Sequence, residues 1–102
     1  MATVIYGVLK EEKERNLKMQ ESYKKEIESL RKGSINAIKR PSGKIYYYLR
    51  YRDGKQIKDE YIGSDENAVE AVKLEIAKRK QLQDVLKRLK VEYKQISIIV
   101  KE

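Results

Sequence analysis

The dipeptide Asp53-Gly54 restricts this chain more than any other feature, because it separates two runs, Ile45 to Arg52 and Lys55 to Ile62, that are rich in β-branched residues and tyrosine. Asp and Gly tolerate the positive φ angles of a type I′ turn, so the spacing predicts a tight β-hairpin. Pro41-Ser42-Gly43 is a second turn signal and marks off a third strand near Ser34 to Arg40. On either side of this segment the pattern becomes helical. Residues 10–32 hold eight basic and six acidic side chains with no proline or glycine, and Met19, Tyr23, Ile27 and Leu30 recur at steps of four, four and three. That period predicts an amphipathic helix, with Arg31, Lys32 and Gly33 as its cation-rich last turn and glycine stop. After Gly63, Ser64 reads as an N-cap, Asn67 as the competing choice, and Asp65 and Glu66 as first-turn acids. Val69, Val72 and Ile76, then Leu82, Val85, Leu86, Leu89 and Tyr93, extend this second helix, with a change of phase at Lys78-Arg79-Lys80-Gln81. Its first half is expected to cover the sheet and its second half to pair with the N-terminal helix. Val4 to Leu9 and Ile96 to Val100 fit either helix continuation or short strands.

The element order therefore predicts an α+β protein: an N-terminal helix, a three-stranded antiparallel sheet, and a long C-terminal helix packed on one sheet face. Residues 1–32 would form a helical arm and residues 33–102 the sheet with its helix, together one compact unit, as expected of 102 residues. Eight tyrosines but no Phe or Trp imply a thin aliphatic core without a large pocket. Cys and His are absent, which removes zinc-finger ligation, thiol nucleophiles, disulfides and imidazole acid–base chemistry at once. Asp53, Asp59 and Glu60 make a poor cation site, because Asp53 is explained by the turn while Asp59 and Glu60 alternate to opposite strand faces. A tyrosine nucleophile would need the His and clustered Arg that such sites assemble. The expectation is a non-enzyme with no catalytic residue, metal or cofactor. The apolar runs are too short to span a bilayer, and no basic leader precedes a small-residue cleavage site, so a soluble, cytoplasmic protein is expected.

The net charge of +8, with a pI near 9.6, favours a polyanionic partner. Residues 33–64 carry seven basic and three acidic side chains, half of the excess, whereas the helices mix signs as solvated faces do. Alternation sorts the strands into two faces, with Arg52 opposite Lys55 and Tyr51 opposite Gln56. One face gathers Ile38, Ile45, Tyr47, Leu49, Tyr51 and Ile62 with Lys58 and Glu60; being the more aliphatic, it is expected under the helix. The other gathers Ile35, Lys39, Tyr46, Tyr48, Arg50, Arg52, Lys55, Ile57, Asp59 and Tyr61. On it, Lys39, Arg50, Arg52 and Lys55 are candidate phosphate or base contacts, and Tyr46 and Tyr48 candidate stacking partners for a nucleic acid, DNA ahead of RNA. Tyrosine pairs and stacked arginines are equally at home on a solvated β face, where they add stability without any ligand.

Gly33-Ser34-Ile35, Lys39, Ser42-Gly43-Lys44, Tyr46-Tyr47-Tyr48, Tyr51-Arg52-Asp53-Gly54-Lys55, Tyr61-Ile62-Gly63 and Glu66 with Ala68 together form a pattern spanning about residues 33–80. It resembles the small β-β-β-α module that serves as the arm-type DNA-binding domain of phage tyrosine integrases, and that occurs in short stand-alone bacterial and phage proteins. The resemblance implies a sheet lying in a DNA major groove with the helix behind it. The helix over residues 10–32 is not part of the integrase module, and the trailing helix is unusually long for it. A free-standing module of this kind suits a nucleic-acid binder of a phage or mobile element. The alternatives are an inhibitor of the anti-CRISPR type that occupies a nuclease or its nucleic-acid channel, and an antitoxin-like regulator. A homodimer through the helices is a further expectation.

Overall fold

In the computed structural model, which describes residues 2–100, helix α1 (Ala2–Ser29) precedes strands β1 (Ser34–Lys39), β2 (Ile45–Asp53) and β3 (Gln56–Gly63), and helix α2 (Glu66–Ile99) closes the chain. The architecture is α+β, and each strand boundary lies within one residue of its expected place. The two ambiguous apolar runs are both helical, Val4 to Leu9 opening α1 and Ile96 to Ile99 ending α2. Among the described residues no helix is long and apolar enough to cross a membrane.

The chain forms two compact units, one spanning Leu30–Arg79, the other made of the chain up to Ser29 with the chain from Lys80 onward. In the first, the strands lie in the order β1-β2-β3, antiparallel throughout. Leu49, at the middle of β2, is 1% exposed, and Val69 and Val72 of α2 are buried with it. Tyr47 shares a hollow with Glu66, Val69, Glu70 and Lys73, which places α2 over the Tyr47–Leu49–Tyr51 face. Arg31 ties the layers together: its backbone N–H donates to Glu75 Oε1 at 2.9 Å, and its guanidinium lies 3.6 Å from Glu60 Oε1. Arg79 Nη1 donates to the Leu30 carbonyl at 2.7 Å.

Both β-turns depart from the expected detail. Asp53 stays in the strand and pairs with Gln56, leaving Gly54 and Lys55 as the turn. Only Gly54 has a positive φ, of 62°, the type II′ pattern rather than I′. The β2–β3 register is thus shifted by two residues, with Arg52 opposite Ile57 and Arg50 opposite Asp59; a shift of two leaves every side chain on its expected face. A bulge at Ile62 carries the ladder from Tyr48↔Tyr61 to Tyr47↔Gly63. The β1–β2 connection is the three-residue loop Pro41-Ser42-Gly43: Gly43 donates to the Arg40 carbonyl, Arg40 donates to the Lys44 carbonyl, and Gly43 takes φ 87°. This odd loop length reverses the expected facing of β1. Ile35 and Lys39 pair with Leu49 and Ile45 on the helix-covered face, and Ile38 pairs with Tyr46 on the other.

Gly33 does not stop α1, which ends four residues earlier. Its φ is 122°, and a Cβ there would meet the Arg50 carbonyl oxygen at 2.2 Å. The glycine lets the chain enter the sheet against the backbone of β2. Asp65, not Ser64, caps α2, its Oδ1 accepting the N–H of Asn67 at 3.0 Å.

In the second unit the two helical segments run in opposite directions. Asn16 donates to the Leu89 carbonyl at 2.9 Å, and Lys13 Nζ lies 5.4 Å from the Tyr93 ring centroid and 3.4 Å from the Val100 carbonyl. Leu9, Lys13, Asn16, Gln20, Tyr23 and Ile27 form a buried or half-buried stripe on α1, and Leu82, Leu86, Leu89, Tyr93 and Ile96 of α2, with Val100 just past its end, answer them. Both series step by four and three, the seven-residue repeat of helices packed knobs into holes. Met19, expected on this stripe, is turned outward, and Gln20 takes its place. An apolar-only pattern passes over Asn16 and Gln20; both amides are buried because each has a partner, Gln20 Nε2 donating to Asn16 Oδ1 at 2.6 Å.

Candidate functional site

The face of the sheet turned away from α2 is built by alternation along β2, which sends Tyr46, Tyr48, Arg50 and Arg52 to the same side. The register adds Ile57, Asp59 and Tyr61 from β3, and Asn36 and Ile38 from β1. Three tyrosines meet here. The Tyr61 ring lies 5.3 Å from that of Tyr48 and 6.3 Å from that of Tyr46, both in tilted contact, a geometry aromatic pairs favour. Tyr61 is the most open of the three, at 58% exposure; Tyr46 and Tyr48 are half-buried.

Cations stand at the two ends of β2. Beside the three-residue loop, the Arg40 guanidinium carbon and Lys44 Nζ lie 5.6 and 5.7 Å from the Tyr46 ring centroid, within cation–π range. At the hairpin end are Arg52, on the strand, and Lys55, in the turn. Between them Arg50 is engaged by Asp59: Nε donates to Oδ1 at 2.9 Å and Nη2 to Oδ2 at 3.2 Å. Hydrogen bonding and charge from this partner hold the Asp59 carboxyl below its usual range and push the Arg50 guanidinium up. On the covered side of the hairpin, Lys58 Nζ donates to Asp53 Oδ2 at 2.7 Å, lowering the Asp53 pKa and raising that of Lys58. The carboxylates Asp53, Asp59 and Glu60 are each taken by a base, Asp53 by Lys58, Asp59 by Arg50 and Glu60 by Arg31. Among the described residues no group of three potential ligands gathers for a metal ion.

Of the six residues singled out from sequence, the structure brings Tyr46, Tyr48, Arg50 and Arg52 onto one face. Lys55 sits at the hairpin tip, and Lys39 lies on the opposite, helix-covered face because the three-residue loop sets the parity of β1. Tyr61 joins the cluster from a face that alternation had assigned correctly. Arg40 and Lys44 were not singled out; their signal was their position immediately either side of Pro41-Ser42-Gly43, which a closed loop must bring together.

A helix-backed, three-stranded antiparallel sheet with a tyrosine-rich open face defines a small α+β protein. The chain belongs to the family described as a domain of unknown function, DUF6788, which it matches over residues 9–71, from α1 through the sheet into α2. No curated protein and no solved structure matches it.

Proposed function

We propose that this is a non-catalytic nucleic-acid-binding protein and that the open face of the sheet is its binding surface. The observation that carries the reading is the juxtaposition of three clustered tyrosine rings with Arg40, Lys44 and Arg52, none of which has an acidic partner among the described residues. Unpaired cations neutralise phosphates and release counterions, and exposed rings stack on bases. Likeness to the integrase arm module supports the same reading, as does the net charge of +8. Arg50 contributes less than its position promises, because a ligand must first displace Asp59.

Fluorescence anisotropy with labelled duplex and single-stranded oligonucleotides, at about 50 and 200 mM salt, tests the assignment. Arg52→Ala is expected to weaken binding and to reduce the salt slope by about one, and Arg50→Ala to do so by less. An unchanged slope in a combined Arg40→Ala, Lys44→Ala and Arg52→Ala variant removes the face from the site.

A second reading has its own support in Ile38 and Ile57, which stand 47% and 63% exposed on the same face. Open aliphatic side chains suit a protein partner, here one that itself holds nucleic acid, such as a nuclease. It predicts tight association with that protein and only weak, salt-sensitive binding to every oligonucleotide.

A further inference from the structure

We infer that the open sheet face takes a single strand, laid along β2 with its bases on the tyrosines, rather than the duplex groove that the integrase likeness implies. The inference rests on the nucleic-acid reading above and narrows it to a substrate class. Two features of the face carry it.

The first is the state of the arginines. A protein that reads a duplex through its major groove presents donors to base edges, and the bidentate arginine is the commonest of these. Arg50 stands at the centre of this face, where such a donor belongs, but the Asp59 carboxylate already takes its Nε and Nη2. At the centre of the face the bases of a duplex would meet an ion pair and three phenol rings, the unpaired Arg52 standing only at its hairpin end.

The second is where the unpaired cations lie. A sheet seated in a groove has phosphates along both of its long sides, which calls for cations on the outward-facing flanks of β1 and β3. Here the flank residues facing outward are Ser34, Asn36 and Ile38 on β1 and Ile57, Asp59 and Tyr61 on β3, with no basic residue among them. The basic residues of those strands, Lys39 and Lys58, belong to the covered face. Cations stand instead at the two ends of β2, Arg40 and Lys44 at one and Arg52 with Lys55 at the other. Lys44 and Arg52 are separated by about 27 Å of extended strand at 3.4 Å per residue. That arrangement matches a backbone gripped at two points, with unstacked bases between them. Tyr61, the most exposed ring, and Tyr48 beside it are the stacking platform, and ring stacking works on single strands because their bases are free to leave one another.

The test uses the full chain and three labelled probes of about twelve nucleotides: oligo(dT), oligo(rU) and a mixed-sequence DNA duplex. At about 50 mM salt one or both single strands should bind at least ten-fold more tightly than the duplex, and the two single-stranded probes tell DNA from RNA. Tyr61→Leu should weaken single-strand binding about five-fold or more, while Tyr61→Phe, which keeps the ring, should restore most of it. Tyr61 is exposed, so both variants should retain the far-ultraviolet circular dichroism of the parent. Arg52→Ala, which leaves the rings untouched, should weaken the single strands as well and keeps the test open if Tyr61→Leu does not fold. Duplex binding equal to or tighter than single-strand binding overturns the single-strand assignment and leaves the nucleic-acid reading standing. Equal affinity for Tyr61→Leu and the parent overturns the stacking platform. Absence of binding to all three probes overturns the nucleic-acid reading itself.

Discussion

The sheet unit and the helical unit reach stability by opposite means. Around Leu49, Val69 and Val72 the interior is aliphatic, and the charged groups, Arg50 with Asp59 and Lys58 with Asp53, are paired at the surface. Between α1 and the later part of α2 the seam is amphipathic: Ile27, Leu89 and Val100 are buried, but so are Asn16 and Gln20. The Ser97 hydroxyl is also buried there, with no hydrogen-bond partner among the described residues. An aliphatic interior is non-directional, so the sheet unit depends on backbone geometry to select one arrangement, and its glycines and loop lengths do that selecting. A polar seam selects by hydrogen bonds instead: the Asn16 Nδ2 donor has an acceptor only when it lies opposite the Leu89 carbonyl, so sliding one helix along the other leaves that buried donor unsatisfied.

The sharpest way to break this contrast is Gly33→Ala. A methyl group would stand 2.2 Å from the Arg50 carbonyl at a φ of 122°, so the β1–β2 ladder has to move apart. The expected loss is about 3 kcal/mol or more, and hydrogen exchange should lose protection in β1 and β2 first. Native protection there would show that the sheet tolerates a shift of this entry point. In the helical unit the corresponding change is Asn16→Ala, which strands Gln20 Nε2, removes the second hydrogen bond of the Leu89 carbonyl and should cost about 1–3 kcal/mol in urea unfolding. Replacing Asn16 and Gln20 together by Leu should recover that stability while loosening the register, seen as broadened amide signals in α1. A double variant with sharp signals would mean that the amides do not set the register.

Ser97→Ala sharpens the comparison from the other side, since it removes a buried hydroxyl without a partner and adds helix propensity. It should raise stability by about 0.5–1 kcal/mol, and a loss instead would show that the hydroxyl is satisfied. The smallest effect belongs to the surface pairs of the hairpin. Asp53 and Asp59 bind protons less readily in the folded state, because Lys58 and Arg50 hold the charged forms. Their contribution is therefore present above the ordinary carboxylate range and fades as the pH falls through the lowered folded values. Asp59→Asn should be slightly less stable than the parent at pH 7 and equal to it near pH 2. A stability difference that persists in acid would assign the effect to something other than the ion pair.

These contrasts also separate what could be read from the chain. Strand positions, the hairpin and both helices follow from turn residues and apolar period, which are local, and so does the grouping of Tyr46, Tyr48, Arg50 and Arg52 on one face. Alternation is unchanged by a register shift of two residues, so the faces of β2 and β3 are the same for a II′ turn as for a I′ turn. The facing of β1 depends on whether the loop at Pro41 closes over an even or an odd number of residues. Both are compatible with Pro-Ser-Gly, and the choice moved Ile35 and Lys39 to the covered face and Ile38 to the open one. Tertiary structure alone decided three further matters. Asp59 claims Arg50 because the register brings them opposite. Arg40 and Lys44 converge on Tyr46 because the loop closes. Asn16 is buried because a carbonyl on a distant helix satisfies its amide, and Gln20 is buried beside it because Asn16 then accepts from it; no local pattern can announce a hydrogen bond made across more than seventy residues.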